Sequence, residues 1–190
     1  VKRQLQPGVF GHASFELFDG VRVGRTRLDR WWDPTLDLAF GRPCDDRYRP
    51  LVVIGMNPSD ACGEFDDPTI GKVIEFARRA GANGAVMVNV TPEITKFPSE
   101  LGTKLMPYGC DERQWEAIDG ALSEEAVHVV AAWGKAPRQL SSWHDRVRRV
   151  VDIAADVGRE LMCFGANGDG SPRHPSRLAY ATPIVPWRPR

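Results

Sequence analysis

The chain has 190 residues, with 25 Lys and Arg against 25 Asp and Glu. Its 42% hydrophobic and 26% charged content excludes disordered and fibrous classes, and the length fits one compact domain. No window approaches the roughly 18 apolar residues of a membrane span.

The start, VKRQLQPGVF, lacks the apolar run and small-residue cleavage site of an export signal. Cys44, Cys62, Cys110 and Cys163 are scattered singly, without CxxC or a neighbouring His, which argues against a zinc site or a disulfide framework. A reducing cytoplasm is the expected compartment and a monomer the expected state. Charge is uneven along the chain. Residues 60–125 carry 6 basic and 13 acidic side chains, whereas residues 133–190 carry 10 and 5. One basic face can track phosphates despite a zero sum, although a solvated arginine surface explains the same counts.

Residues 1–50 contain a possible hairpin at Phe15–Phe18, Asp19-Gly20 and Val21–Val23. They are read as an N-terminal extension packing on a core of residues 51–180, the whole chain forming one domain. Leu51-Val52-Val53-Ile54-Gly55 is a β-branched apolar run ending in Gly, the pattern of a buried parallel strand. Asp67-Pro68 then reads as N-cap and first residue of a helix. Ile70, Val73, Ile74, Phe76 and Ala77 face inward, and Gly81 stops it.

A second strand is predicted at Ala85–Val90, followed by a helix over about Asp111–Ser123 with Trp115, Ile118, Ala121 and Leu122 on one face. A third strand, Val127–Trp133, precedes a helix from Trp143 to Val157. Its inward face is Val147, Val150, Val151 and Ala154. Glu160–Phe164 is the fourth strand. Alternating β and α elements call for a mainly parallel four-stranded sheet with helices on both faces. Ligand sites in such sheets lie beyond the strand carboxyl ends. The loops Gly55–Asp67, Asn89–Thr95, Trp133–Arg138 and Gly165–Tyr180 occupy those places.

The first of these loops begins Gly55-Met56-Asn57-Pro58-Ser59 and lacks both GxGxxG and GxxxxGK[ST]. Asn57 stands at a strand end, where a ligand group and a turn cap are equal alternatives, while Asp67 reads as a helix cap. Asn89 is a polar residue in a Val-rich run. Its amide could read a pyrimidine edge or tie two loops together. Ser171–Leu178 holds His174 between two prolines, with Ser176 placed for a phosphate and Leu178 apolar at a loop tip. His128 reads as a core or strand-end histidine and His144 as a helix-surface one. There is no GxSxG elbow for a serine hydrolase.

These residues resemble the uracil-DNA glycosylase superfamily, whose members carry a GQDPY or GINPG motif after a strand and a late HPSPL motif. Gly55-Met56-Asn57-Pro58-Ser59 resembles the GINPG form of mismatch-specific members, and His174-Pro175-Ser176-Arg177-Leu178 resembles HPSPL with Arg177 for the second Pro. Val86-Met87-Val88-Asn89 resembles the strand ending in a base-reading Asn, and Ala132-Trp133-Gly134 a Trp-Gly strand end. The chain is also similar to a domain-of-unknown-function family of bacteria and phages with an NPS…DDPT loop and a late PRHP segment.

The resemblance implies a three-layer α/β/α fold and a monofunctional DNA glycosylase that flips out a modified or damaged pyrimidine. His174 would donate to the departing base and Asn57 would position the attacking water. Asn89 would read the base edge, with Met56 and Ser59 around it and Phe65 as a stacking platform. Pro58, Ser59, Pro175 and Ser176 would pinch phosphates, Arg173 and Arg177 would meet them, and Leu178 would wedge into the stack. Neither metal nor organic cofactor is required. Asn57 replaces the Asp of the most active uracil-specific members. Ser59 replaces a pocket-closing aromatic, which leaves room for a 5-substituent and extends to an anti-phage role against hypermodified bases.

Three readings from other classes compete. One is a non-catalytic DNA-binding module of the same fold. Another is a Mg-dependent nuclease or phosphohydrolase using Asp60, Glu64, Asp66 and Asp67. The third is an enzyme acting on free nucleosides.

Overall fold

The computed structural model describes residues 3–189. In chain order the strands are β1 (Arg3–Gln4), β2 (Phe10–Phe18), β3 (Val21–Trp31), β4 (Leu38–Ala39), β5 (Arg42–Pro43) and β6 (Pro50–Gly55). They continue as β7 (Phe65–Asp66), β8 (Gly84–Asn89), β9 (His128–Ala131), β10 (Leu161–Cys163) and β11 (Val185–Pro186). The helices are α1 (Pro68–Arg79), α2 (Cys110–Ser123) and α3 (Trp143–Asp156), each within a residue of its predicted bounds.

The predicted four-stranded sheet is instead a seven-stranded mixed one, in the order β11-β10-β9-β6-β8-β3-β2. The four predicted strands form its parallel centre, β10-β9-β6-β8. The hairpin β2–β3 pairs antiparallel with β8, so part of the presumed N-terminal extension is sheet. Its turn is Asp19-Gly20, both at positive φ (49° and 77°), the pair of left-handed residues that lets a two-residue hairpin match strand twist. On the far edge β11 pairs antiparallel with β10.

Strand alternation divides the apolar side chains between two faces. Val52, Ile54, Val86 and Val88 pack with Trp115 and Ile118 of α2 and with Trp143 and Val150 of α3. Leu51, Val53, Ala85 and Met87 pack with Ile70, Val73, Ile74 and Phe76 of α1. Helix α1 is stapled at its start by Asp67, whose side chain accepts from Thr69 N and Ile70 N. Among the described residues no helix is long and apolar enough to cross a membrane.

Strand β3 carries an unusual load of buried charge. Arg27 donates to Asp29 at 2.6 Å and to Glu124 at 2.5 Å, and Arg30 Nε donates to Asp66 at 2.9 Å. Burial opposes ionisation of Asp29, yet His12 and Arg27 hold its carboxyl below the usual range. These pairs join the hairpin to α2 on one face and to β7 on the other.

Candidate functional site

A cavity of about 330 Å³ opens at the carboxyl ends of the parallel strands. That is near the lower end of ligand-pocket volumes, roughly 300–1,000 Å³. Met56, Asn57 and Ser59 reach it from the loop after β6, and Thr95, Lys96 and Pro98 from the loop after β8. Trp133 and Lys135 come from the end of β9, and His174 from the loop after β10. Asp67, Thr69 and Ile70 close the side toward α1, and Met87 and Arg25 rise from the sheet. Of the predicted residues, Met56, Asn57, Ser59 and His174 therefore share one space.

The amide of Asn57 is locked by its neighbours. Its Nδ2 donates to Thr95 O at 2.7 Å and to Pro58 O at 3.0 Å. Both donors are spent on backbone, so Oδ1 is the polar atom left to act, and it can only accept. A water in the cavity could donate to it.

His174 is fixed just as narrowly. Its Nδ1 accepts from Ser176 N at 3.3 Å and lies 2.9 Å from Ser176 Oγ. A backbone N–H pointing at Nδ1 requires that nitrogen to be unprotonated, which places the proton on Nε2. Burial pushes the imidazole below its ordinary pKa, with the charge of Asp67 pulling the other way. The result is a neutral ring with one outward donor. Ser176, expected to hold a phosphate, turns its hydroxyl to this ring.

Ser59 donates to Asp67 Oδ2, while Asp67 Oδ1 caps α1. Asp67 is thus the cap that was predicted, and it also fixes the serine beside the cavity.

Other assignments need correction. Phe65 pairs with Gln4 in the β1–β7 ladder and does not line the cavity; the aromatic wall is Trp133, which meets Trp187 edge-on at 5.1 Å. Leu178 is half-buried against the α1-side core rather than free at a tip, and its carbonyl accepts from Lys72 Nζ at 2.7 Å. Pro58 and Pro175 are buried, and Arg173 and Arg177 are exposed; none of the four reaches the cavity wall.

Asn89 is fully buried and also off the wall. Neither atom of its amide has a hydrogen-bond partner among the described residues, and leaving such a group unmade costs about 1–3 kcal/mol. It lies under Gly55, where an added Cβ would come 2.6 Å from both Asn89 Oδ1 and Met87 Cε. Only glycine fits there.

Arg25 and Lys135 carried no sequence signal. Lys135 is an exposed cation after Trp-Gly, and Arg25 sits in an Arg-rich hairpin that reads as solvated surface. The alternation of β3 would even turn Arg25 away from the cavity. A β-bulge reverses that: Ser14 pairs with Arg27 and Phe15 with Arg25, leaving Thr26 as the extra residue.

The four loop carboxylates do not converge. Asp60 pairs with Lys96 at 3.0 Å, Asp66 with Arg30, and Asp67 with Ser59 and α1, while Glu64 is exposed. Among the described residues no group of three or more His, Cys, Asp or Glu could hold a metal ion.

Residues 25–176 match the family model described as "Protein of unknown function (DUF1643)". The chain belongs to the DUF1643 family. Its matched span runs from Arg25 through Ser176, enclosing every cavity residue named above. Comparison with curated proteins found no match, and comparison with solved structures found none.

Proposed function

We propose that this DUF1643 protein is a DNA glycosylase that extrudes a modified or damaged pyrimidine and hydrolyses its N-glycosidic bond. The observation that carries the reading is the meeting of Asn57 and His174, from two distant motifs, on one cavity at the strand carboxyl ends. The same reading takes the fold as a three-layer α/β/α arrangement of glycosylase type, with α1 on one face and α2 and α3 on the other.

Bond cleavage builds positive character on the sugar and negative charge on the departing base. His174 Nε2–H donates to the base oxygen where that charge collects. A preorganised donor of this kind is worth about 2.7–4 kcal/mol in a barrier. Asn57 Oδ1 accepts from a water and aims its lone pair at the anomeric carbon; the C–O bond forms as the C–N bond breaks, and the proton that the water loses passes through solvent to the departing base anion, so Asn57 orients the water without taking its proton. Trp133 and Met56 form the apolar walls against the ring. For Asn89 to read the base edge, the flexible Met87 side chain swings aside and the orphaned amide gains its partners. Lys135 on the cavity wall and Arg173 and Arg177 outside it are exposed cations available to phosphates. The small Ser59, where the resemblance would otherwise set a pocket-closing aromatic, is the basis for keeping 5-substituted and hypermodified phage bases among the substrates.

The test is base release in EDTA from DNAs containing uracil, 5-hydroxymethyl or glucosylated pyrimidines. Free base and alkali-labile sites, lost in both Asn57→Ala and His174→Ala, support the reading. Intact DNA with salt-sensitive binding transfers it to a binding module of the same fold.

A further inference from the structure

His174 stands between two stretches of chain that are held very differently. Upstream, backbone bonds fix the loop after β10: Arg173 N donates to Gly165 O at 2.9 Å and Gly134 N to Pro172 O at 3.0 Å. Downstream, residues 174–182 bond to themselves, with Ser176 N on His174 Nδ1, Leu178 N on Pro175 O and Thr182 N on Ala179 O. Among the described residues, one hydrogen bond reaches this segment from elsewhere in the chain. Lys72 Nζ, on α1, donates to Leu178 O at 2.7 Å.

The same ammonium lies 3.8 Å from the centroid of the Tyr180 ring. A helix lysine ordinarily leaves its charge in water, whereas here both the charge and a donor are spent on the segment that carries His174. The packing agrees: Tyr180 meets Phe76 of α1 at 6.1 Å, and Leu178 lies against the α1-side core. Between His174 and Leu178 stand Pro175 and a short 3-10 turn over Pro175–Arg177, which leave the backbone little freedom. A hold on Leu178 O is therefore a hold on His174. Helix α1 fixes both motif loops, Ser59 through Asp67 and the His174 segment through Lys72.

We infer that Lys72 is a positioning residue of the cavity, clamping residues 174–182 to α1 through Leu178 O and the Tyr180 ring and so setting where His174 Nε2 stands. This rests on the glycosylase reading for what the imidazole does, and on the two contacts of Lys72 for where it is held. Lys72 touches neither base nor sugar in this account.

Three variants of the full chain test it. Lys72→Met keeps the stem and removes the ammonium, and Lys72→Arg keeps a cationic donor. Tyr180→Leu leaves the ammonium in place and takes away the ring. NMR titration of the His174 imidazole reads its place without any substrate, because burial holds the ring below its ordinary pKa. Asp67, Arg25, Lys96 and Lys135 share the cavity with it and Arg173 and Arg177 flank it in sequence, all unaltered in these variants. Wild type is expected to titrate below ~6.5, Lys72→Met to rise toward that value, Tyr180→Leu to rise part of the way and Lys72→Arg to stay low. A midpoint unmoved in Lys72→Met overturns the proposal. So does a rise in Lys72→Met with none in Tyr180→Leu, the mark of a lost charge alone. On DNA that wild type cleaves, Lys72→Met is expected to slow single-turnover release about 10- to 100-fold at unchanged DNA affinity, the scale of a misplaced group. In the His174→Ala background it should add nothing, whereas a merely structural lysine would lower release in both. Equal losses in the two backgrounds overturn the proposal. If wild type leaves every DNA intact, the glycosylase reading falls and the titration by itself still decides the role of Lys72.

Discussion

Asn57 Nδ2 and Thr95 O are joined at 2.7 Å, tying the loop after β6 to the loop after β8. The same nitrogen also donates to Pro58 O. An aspartate here would offer no donor and would set a carboxylate against two carbonyls. Asn57→Asp is therefore expected to destabilise by about 1–3 kcal/mol and to lower base release, although an Asp is the stronger base in isolation. Urea unfolding and single-turnover release check both. A gain in uracil excision would contradict the role given to this amide.

The backbone N–H of Ser176 keeps His174 Nδ1 unprotonated, and burial depresses the ring's pKa. The active form is the neutral one, so release should hold at high pH and fall as pH drops through a value below the ordinary ~6.5. Stability follows the same direction. Above about 6.5 neither folded nor unfolded His174 is protonated; below it the unfolded chain takes the proton first, and stability declines until the folded value is passed. The wild-type pH profile minus that of His174→Ala isolates this term, and His174→Ala should lower release roughly 100- to 1,000-fold. A profile rising toward acid would assign the ring the opposite charge state.

Asp67 bonds Thr69 N, Ile70 N and Ser59 at once. Removing it in Asp67→Ala should cost about 0.5–2 kcal/mol through the lost cap. Ser59→Ala breaks only the contact at the cavity and should leave the unfolding midpoint nearly unchanged. Thermal scans of the two variants separate cap from pocket.

Asp29 is fully buried between Arg27 and His12. Asp29→Asn leaves Arg27 with Glu124 alone. Breaking a buried pair costs about 3–5 kcal/mol, which lowers the melting temperature by roughly 6 °C or more in a chain of this size. An unchanged midpoint would mean that Glu124 suffices to hold the hairpin.

Elements formed by near neighbours were legible. The apolar run Leu51–Gly55, the Asp67-Pro68 start of α1 and the inward face of Ile70, Val73 and Ile74 stand where their spacing put them. The convergence of Asn57 and His174 was legible as well, because parallel strands deliver their following loops to one end of a sheet. Phe65 was misplaced since its partner, Gln4, comes from far back in the chain and no local pattern names it.

By itself, then, the sequence determined the helices, the parallel strands and the loops that meet above them, all consequences of local periodicity and capping. Only the tertiary structure decided that residues 10–31 widen the sheet, that Trp133 rather than Phe65 walls the cavity, and that Arg25 lies on its wall with Nε unpartnered among the described residues. Those outcomes depend on which distant strands pair and in what register. One extra residue, Thr26, reverses the face on which an arginine falls, and nothing in the run VRVGRTRLDR announces it.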